Sequence, residues 1–362
     1  MNSIEISKEE WIRLNNTLSK DEIKMYISNL IKDNKIPLPY REITIDEAKM
    51  DFMKLQQLAL DDVIMYDDWI TRYDYNNKWF HSPIIFKSVT IGNKSSDFFH
   101  QVNRWKCDSI NAPSPERTWN EERFRLTLLN SLWTLKVEEV NSKVLRMCIA
   151  LRKYISSQFR PSAAKAVIEL FGAKSILDFS AGWGDRLSGF LASNAFKYYG
   201  IDPNSNVHNG YKQQIETFGT PEKTVVLYDD CAENVIIDDE VDLIFTSPPY
   251  FNIERYTHDS KQSFKRYKNV NSWLNNFLFK AIDNAWKKLK IGGYMVINIS
   301  DVYSNHTINK LCDPMNDYID LYENSKYMGS YGYQMAKRPN SGALAGKNGV
   351  FCEPMWVWKK EV

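Results

Sequence analysis

From residue 159 onward, short apolar runs alternate with amphipathic stretches in a regular way. Ser175-Ile176-Leu177-Asp178-Phe179 is one such run, closed by the turn Ser180-Ala181-Gly182-Trp183-Gly184, with a helical pattern over about 185–195 behind it. Lys197–Ile201 is a second run, ends on Asp202, and precedes a helical pattern over 205–218. Thr224–Tyr228 ends on Asp229-Asp230, and Val241–Phe245 ends on Thr246-Ser247-Pro248-Pro249-Tyr250. An amphipathic helix over 162–171 leads into the series, with Ser162 as N-cap and Gly172 as the C-terminal glycine. After the fourth run come a long helix over Ser272–Leu289 that stops at Gly292-Gly293, a fifth strand over Tyr294–Ile299, and a helical stretch over 312–328. Two last strands, Tyr331–Lys337 and Phe351–Trp358, enclose a loop containing Gly342, Gly346 and Gly349. Strands alternating with helices imply an α/β fold with a mostly parallel sheet covered on both faces, and the closing hairpin adds an antiparallel strand.

The first 150 residues lack this rhythm. Short helices run to about residue 35, a polar connection follows at Asp33-Asn34-Lys35, and a second helical pattern covers Ile45–Ala59. Residues 60–110 are dense in rings and carry one strand-like stretch, Ile84–Ile91, before a turn at Gly92-Asn93. Ala112–Arg117, small, polar and broken by prolines, reads as a connection, with helices after it over about 120–134 and 142–157. The expected organisation is therefore a mixed or mainly helical module over 1–150 and an α/β domain over 151–362.

Composition narrows the function classes. With 43% hydrophobic and 25% charged residues this is an ordinary globular chain. A net charge of +1 argues against a strongly basic binder of nucleic acid but leaves a local basic groove open. The five cysteines are scattered without a C-x-x-C pair, so neither a zinc site nor a disulfide framework is indicated, and a reducing compartment fits. The N-terminus lacks the apolar core of a signal peptide, and no stretch approaches the ~18 apolar residues of a membrane span. The expectation is a cytoplasmic protein without membrane contact, or one in the host-cell cytoplasm if its source is a virus or phage.

Candidate chemistry sits at the ends of the apolar runs, the edge where open α/β sheets bind ligands. Neither Pro248 nor Pro249 offers an N–H, so the chain leaves the sheet there in a stiff, extended turn. That turn presents the Ser247 hydroxyl and nearby carbonyls as acceptors beside the Tyr250 ring. Such a corner suits a planar group bearing an exocyclic amine. Gly182 and Gly184 let the backbone turn tightly and approach a ligand. The third glycine of the dinucleotide fingerprint is absent, Leu187 standing in its place, so an ordinary turn and a dinucleotide site are the competing readings. Asp202, at a strand end, is placed to accept ribose hydroxyl protons.

The glycine turn and the Ser-Pro-Pro-Tyr string, in this order and spacing, resemble the S-adenosylmethionine-dependent amino-methyltransferases that methylate exocyclic amines of bases. The resemblance spans about residues 155–360. It implies a Rossmann-like seven-stranded methyltransferase sheet, S-adenosylmethionine as cofactor, no metal, and a nucleic acid, DNA in first place, as partner. By this resemblance Gly182 and Gly184 border the methionine part of the cofactor, Asp202 its ribose and Asp230 its adenine amine, with Asp229 competing for the last role. Asp178 orients the loop that contains Ser180. Phe159 and Ser162 either touch the cofactor or only pack and cap. Trp183 departs from the usual small or polar residue, and either shields the cofactor or packs against the N-terminal module. Ser247, Pro248, Pro249 and Tyr250 form the catalytic corner. Serine in first position is commoner among enzymes acting on cytosine N4, Asp or Asn among those acting on adenine N6. The same chemistry on RNA and a disabled, nucleic-acid-binding relative are the alternatives. A protein-amide methyltransferase, whose motif usually begins with Asn, and a nicotinamide-dependent oxidoreductase stand further off. A cytosine-C5 enzyme would need a Pro-Cys nucleophile, and no cysteine follows a proline.

A base in a duplex must leave the stack to reach such a corner, at a cost of a few kcal/mol. Lys261, Lys265, Arg266 and Lys268, and Lys337-Arg338-Pro339-Asn340, are candidates for the accompanying phosphate contacts or else parts of solvated loops. No large insert is present for target recognition, which points to the ring-rich stretch 66–106.

Overall fold

The computed structural model describes residues 3–110, 112–152, 155–257, 259–304, 306–335 and 348–362. Lys337-Arg338-Pro339-Asn340, Gly342 and Gly346 lie outside the described residues. The chain forms two compact units, one of Met1–Glu42, Gln101–Ser157 and Glu254–Thr257, the other of Ile43–His100, Gln158–Ile253 and His258–Val362. This division differs from a cut near residue 150, because residues 43–100 belong with the α/β part.

The larger unit is built on one sheet of ten strands: β1 (Ile64–Tyr66), β2 (Trp69–Ile70), β3 (His81–Phe86), β4 (Ser175–Asp178), β5 (Lys197–Ile201), β6 (Thr224–Tyr228), β7 (Val241–Thr246), β8 (Leu289–Asn298), β9 (Ser325–Gln334) and β10 (Val350–Lys360). Their order is β1-β3-β9-β10-β8-β7-β4-β5-β6, with β2 alongside β10. From β6 to β9 this is the expected seven-stranded Rossmann-like methyltransferase arrangement. β6, β5, β4, β7 and β8 run parallel, and β10 is inserted antiparallel between β8 and β9.

The sheet also continues past β9. β3 pairs with it in parallel, Tyr333 opposite Phe86, and β1 pairs with β3. The strand-like stretch near residue 84 is thus part of the main sheet rather than of a separate module. Its pairing partner lies far along the chain, and nothing in the local pattern reveals it. The ring-rich stretch behaves accordingly. Trp69, Trp79, Phe86 and Trp105 are buried, while Tyr66, Phe80 and Phe98 are exposed.

One face of the sheet carries alternate residues Leu177, Ile244, Met295, Ile297, Trp356 and Trp358 into a core with Leu278, Ile282 and Trp286. The i, i+2 spacing along β8 and β10 reflects the strand pleat. The long helix expected over 272–289 is Val270–Trp273, a π-helical turn Leu274–Leu278 and Phe279–Lys287. Gly292-Gly293 does not stop that helix but lies inside β8, where Gly292 has φ 82° and the register with β7 shifts between Leu289 and Tyr294. A glycine at positive φ inside a strand marks such a bulge. The helix expected over 312–328 ends at Ile319, because Ser325 already starts β9. Ser162 is not an N-cap: Arg160 holds that position, Pro161 is the first helical residue, and Ser162 lies within the helix Pro161–Leu170. Gly172, at φ 59°, follows that helix as expected.

The smaller unit contains the helices Lys8–Thr17, Lys20–Asp33, Pro115–Asn120, Glu122–Leu129, Ser131–Thr134 and Ser142–Arg152. Ser19 and Glu22 close a capping box on the second of these. Ser114 and Pro115 begin a helix, as N-cap and first residue, where a connection was expected. Ile23, Ile27, Leu128, Leu132 and Ile149 fill its core, and Asp108–Ser109 pairs with Glu254–Arg255.

Gly189, on the helix Asp185–Ala192, faces the helix Pro161–Leu170 so closely that an added Cβ would lie 2.5 Å from Ala164 Cβ and 2.7 Å from the Lys165 backbone nitrogen. Helix propensity alone favours Ala over Gly by about 1 kcal/mol. Steric conflict is expected to win, so that Gly189→Ala destabilises the fold by about 1–3 kcal/mol in urea unfolding. A stability gain would show that the two helices have room between them.

Candidate functional site

The carboxylate of Asp178, at the end of β4, receives donors from four directions. Arg186 Nε donates at 2.7 Å and Tyr198 Oη at 2.8 Å to one oxygen; Thr246 Oγ1 at 2.9 Å, Arg186 Nη2 at 3.3 Å and the Ser180 N–H at 3.2 Å bond the other. Asp178 is fully buried. Burial opposes the charge on Arg186, but the adjoining carboxylate overrides it and raises the guanidinium above its usual value. Arg186 also donates to the Ser180 carbonyl. The glycine turn on one side and the residue before Ser247 on the other are thus fixed to a single group.

The turn is held from behind by the helix Ser205–Phe218. Tyr211 donates to the Gly182 carbonyl, and Gln214 Nε2 to the Gly184 carbonyl at 2.8 Å. Gly184 has φ 70°, and a Cβ there would meet Gln214 and His100 at 2.4 and 2.7 Å. Gly182, at φ 63°, is different: a Cβ there would have no neighbour closer than the Ser180 carbonyl at 3.7 Å. Its conformation requires glycine, and its outer face is left open for a ligand. Trp183, between the two, is buried.

Asp202, after β5, accepts from the Gly182 N–H at 2.8 Å and the Asn204 N–H at 2.9 Å. Asp230, after β6, accepts from the Cys231 N–H at 2.7 Å and is half-buried. Asp229 is exposed, bonded by Ser205 and by Lys261. Phe159 packs on the sheet, stacked on Tyr333 at 4.7 Å and edge-on to Phe245 at 5.6 Å. The Ser162 hydroxyl is spent on the Val89 carbonyl at 2.6 Å. Phe159 thus packs against the sheet, and Ser162 bonds a neighbouring carbonyl without capping the helix.

At the Ser-Pro-Pro-Tyr corner the Phe251 N–H donates to the Pro249 carbonyl at 3.0 Å, and Phe251 adopts a φ of 53°. Among the described residues no hydrogen bond reaches the carbonyls of Ser247 and Pro248. Two residues without a sequence signal complete the corner. Asn298, the last residue of β8, donates through Nδ2 to the Pro354 carbonyl at 3.2 Å. A carbonyl only accepts, so this contact fixes the amide with Oδ1 toward the corner. Oδ1 accepts a long bond from Ser247 Oγ at 3.4 Å and lies 3.4 Å from Tyr250 Oη. Glu353 of β10 accepts from Tyr250 Oη at 3.3 Å. The clue available in the sequence is a polar residue interrupting an apolar strand, Asn298 in Met295–Ile299 and Glu353 before Pro354.

Two cations of the basic run are engaged internally. Lys261 pairs with Asp229 at 3.3 Å and Arg266 with Glu233 at 2.6 Å. A phosphate contact by either would have to displace an existing ion pair. Among the described residues no cluster of His, Cys, Asp and Glu is arranged to hold a metal, and no helix is long and apolar enough to cross a membrane.

Asp202 is half-buried, and the protein around its carboxyl pushes it up to about 6 from the ordinary 3.8, against the pull of its two N–H donors. The folded state then binds this proton more tightly than the unfolded chain, so ionisation of Asp202 works against folding as pH rises through this window. Relative to Asp202→Asn, the wild type is expected to lose on the order of 1–2 kcal/mol between about pH 4 and pH 6. Urea unfolding across that range reads the difference; equal slopes in both proteins would remove Asp202 as its source.

The chain is similar to TehB from Haemophilus influenzae (10% identity, TM-score 0.36, 55% of this chain and 62% of that one). It is also similar to an rRNA methylase from Streptococcus thermophilus (14%, TM-score 0.36, 57% and 100%) and to TrmN from Thermus thermophilus (15%, TM-score 0.37, 55% and 48%). It thus spans 62% of TehB and 48% of TrmN. No curated protein matches it. Residues 241–360, from the start of β7 to the end of β10, match the sequence model N6_N4_Mtase, described as DNA methylase. Over that segment, which holds Ser247, Tyr250, Asn298 and Glu353, the resemblance to the DNA amino-methyltransferase family is shown.

Proposed function

We propose that this protein transfers a methyl group from S-adenosylmethionine to an exocyclic amine of a base in DNA, cytosine N4 ahead of adenine N6. The observation that carries the reading is the donor count at the corner. Asn298 Oδ1 can only accept, so the Ser247 proton points to it. Ser247 Oγ then offers lone pairs, as do the carbonyls of Ser247 and Pro248. A ligand entering here has to bring the N–H donors, and an exocyclic amine brings two. Accepting both N–H bonds draws the nitrogen lone pair out of conjugation with the ring and makes it more nucleophilic. Tyr250, half-buried, offers its ring as the stacking face.

S-adenosylmethionine, when bound, supplies an electrophilic methyl on a sulfonium. The residues to hold it are the open Gly182 with Gly184 and Ser180 for the methionine part, Asp202 for the ribose hydroxyls and Asp230 for the adenine amine. The fit rests on the clear space over Gly182 and on a carboxylate ending each of the next two strands. Transfer is an in-line displacement in which the protein mainly positions the two centres. Asp178 serves this by tying the glycine turn and Thr246 together. Serine at 247 supports cytosine N4 over adenine N6.

Labelled-methyl transfer to DNA and to RNA, followed by nucleoside mass spectrometry, tests the proposal. N4-methylcytosine in DNA is expected; label in RNA alone would redirect the reading to that polymer. Cofactor binding by calorimetry without transfer to either would mark a binding protein. Ser247→Ala is expected to lower single-turnover transfer by about 10²-fold and to leave cofactor affinity within about twofold. If Ser247→Ala instead abolishes cofactor binding, Ser247 does not serve the base.

A further inference from the structure

Behind the glycine turn lies a set of buried hydrogen bonds whose directions are fixed. Gln214 Nε2 donates to the Gly184 carbonyl at 2.8 Å and to Ser188 Oγ at 2.6 Å. A carbonyl only accepts, so the amide is oriented and its Oε1 faces the other way, where His100 Nε2 stands at 3.2 Å. His100 Nε2 therefore carries the ring proton. Ser95 donates to the Gly92 carbonyl at 2.6 Å, so it is Ser188 Oγ that donates to Ser95 Oγ, at 2.8 Å. His100 is 1% exposed, and Gln214, Ser188 and Ser95 are fully buried.

His100, on the helix Asn93–Arg104, is seated against two glycines. A Cβ at Gly184 would lie 2.7 Å from its Nε2, and one at Gly210 would lie 2.5 Å from its Cε1. Its ring is also 5.1 Å from that of Tyr211, which donates to the Gly182 carbonyl. Burial pushes the imidazole down to about 4, so the ring is neutral near pH 7 and has one N–H to give. That N–H goes to Gln214, and Nδ1 is buried with no hydrogen-bond partner among the described residues. A bare buried acceptor is costly. An apolar side chain would fill the same space without that cost, so the imidazole is explained by what its other nitrogen donates.

Resting on the function proposed above, we propose that His100 is a positioning residue for the methionine end of the cofactor: its Nε2–H, acting through Gln214, sets Gly184 in the turn that borders that end. Without this donor, Gln214 Oε1 would be an unpaired buried acceptor. The amide could relieve that only by turning away from the Gly184 carbonyl, which would then keep the Ser188 N–H alone. The chain of bonds ends on Gly184, whereas Asp202 is bonded from Gly182 and Asn204, and Asp230 from Cys231. The effect of His100 is therefore centred on the methionine end rather than on the nucleoside.

Calorimetry with S-adenosylhomocysteine, the demethylated cofactor, and with 5′-methylthioadenosine, which lacks the amino-acid end, separates positioning from support of the fold. His100→Leu is expected to weaken S-adenosylhomocysteine by about tenfold and to change 5′-methylthioadenosine by less than about twofold. His100→Gln, which keeps an N–H at the Nε2 position, should recover most of the loss. Gly210→Ala, whose methyl pushes the ring off Gln214, should reproduce His100→Leu, and the double variant should lose no more than either alone because both act on one chain of bonds. A further readout needs neither variant nor ligand: the ring-nitrogen spectrum of the unliganded protein should show His100 protonated at Nε2 and bare at Nδ1. Equal losses for the two ligands, no loss in His100→Leu, or a proton on Nδ1 overturns the positioning role while the methyltransferase reading stands. If the wild type binds neither S-adenosylmethionine nor S-adenosylhomocysteine, the reading on which this role rests fails, and the role with it.

Discussion

Everything near the ligand edge depends on one buried carboxylate. Asp178 accepts from a guanidinium, a phenol, a hydroxyl and a backbone N–H at once. A buried charge is tolerated only when it is paired and its lone pairs are used, and here both conditions are met by residues from β5, β7, the glycine turn and the helix behind it. Removing the carboxylate would take from Arg186, itself buried, the group it is ion-paired with, a change that costs about 3–5 kcal/mol in comparable settings. The consequence for function is geometric. Thr246 and Ser180 hydrogen-bond the same oxygen, so the turn facing the proposed cofactor and the corner facing the proposed base cannot shift independently.

The chemistry of that edge is weighted toward acceptors. Asp202, Asp230, Ser247, Asn298 and Glu353 stand there, and among the described residues no hydrogen bond reaches the carbonyls of Ser247 and Pro248, while Lys261 and Arg266 are held in ion pairs. Such a surface suits the donors of the proposed ligands: ribose hydroxyls, an adenine amine, a base amine. It also fits a near-neutral chain, since attraction to a polyanion cannot come from net charge. The requirement that a ligand fill the lone pairs, rather than bulk electrostatics, distinguishes one ligand from another.

How far the sequence reveals this depends on the range of the interactions involved. Lys197–Ile201, Ser205–Phe218 and Thr224–Tyr228 have the bounds expected of them, because each is a clean apolar run or a helical period bounded by turn residues. Asp178, Gly182, Gly184 and Ser247 were legible for the same reason: they punctuate those runs. What escaped is set across strands. The bulge at Gly292 mimics a helix stop, β3 finds its partner near residue 332, and the helix after Cys312 is cut short by the start of β9. Asn298 and Glu353 carry no motif of their own. They reach Tyr250 only through the ladder in which β10 lies against β8, Asn298 opposite Met355. Phe159 and Ser162 have partners that their own neighbourhood in the sequence does not reveal, the Tyr333 ring and the Val89 carbonyl.

The pairing of Ser247 with Asn298 bears on which first letter this corner accepts. The Asn298 amide cannot turn over without losing the bond from its Nδ2 to the Pro354 carbonyl. Its Oδ1 is therefore a fixed acceptor directed at residue 247. A hydroxyl meets it by donating, and keeps its own lone pairs for the ligand. A carboxylate at 247 would set negative charge against Oδ1 with Glu353 also close, and would be raised toward its protonated form. An asparagine there could donate to Oδ1 and still present its own oxygen. The corner thus tolerates Ser or Asn and disfavours Asp, so the identity of residue 247 is coupled to β10 through one backbone carbonyl. Under the proposed function, base preference would then belong to the Ser247–Asn298–Pro354 chain of contacts as a whole rather than to the motif's first letter alone.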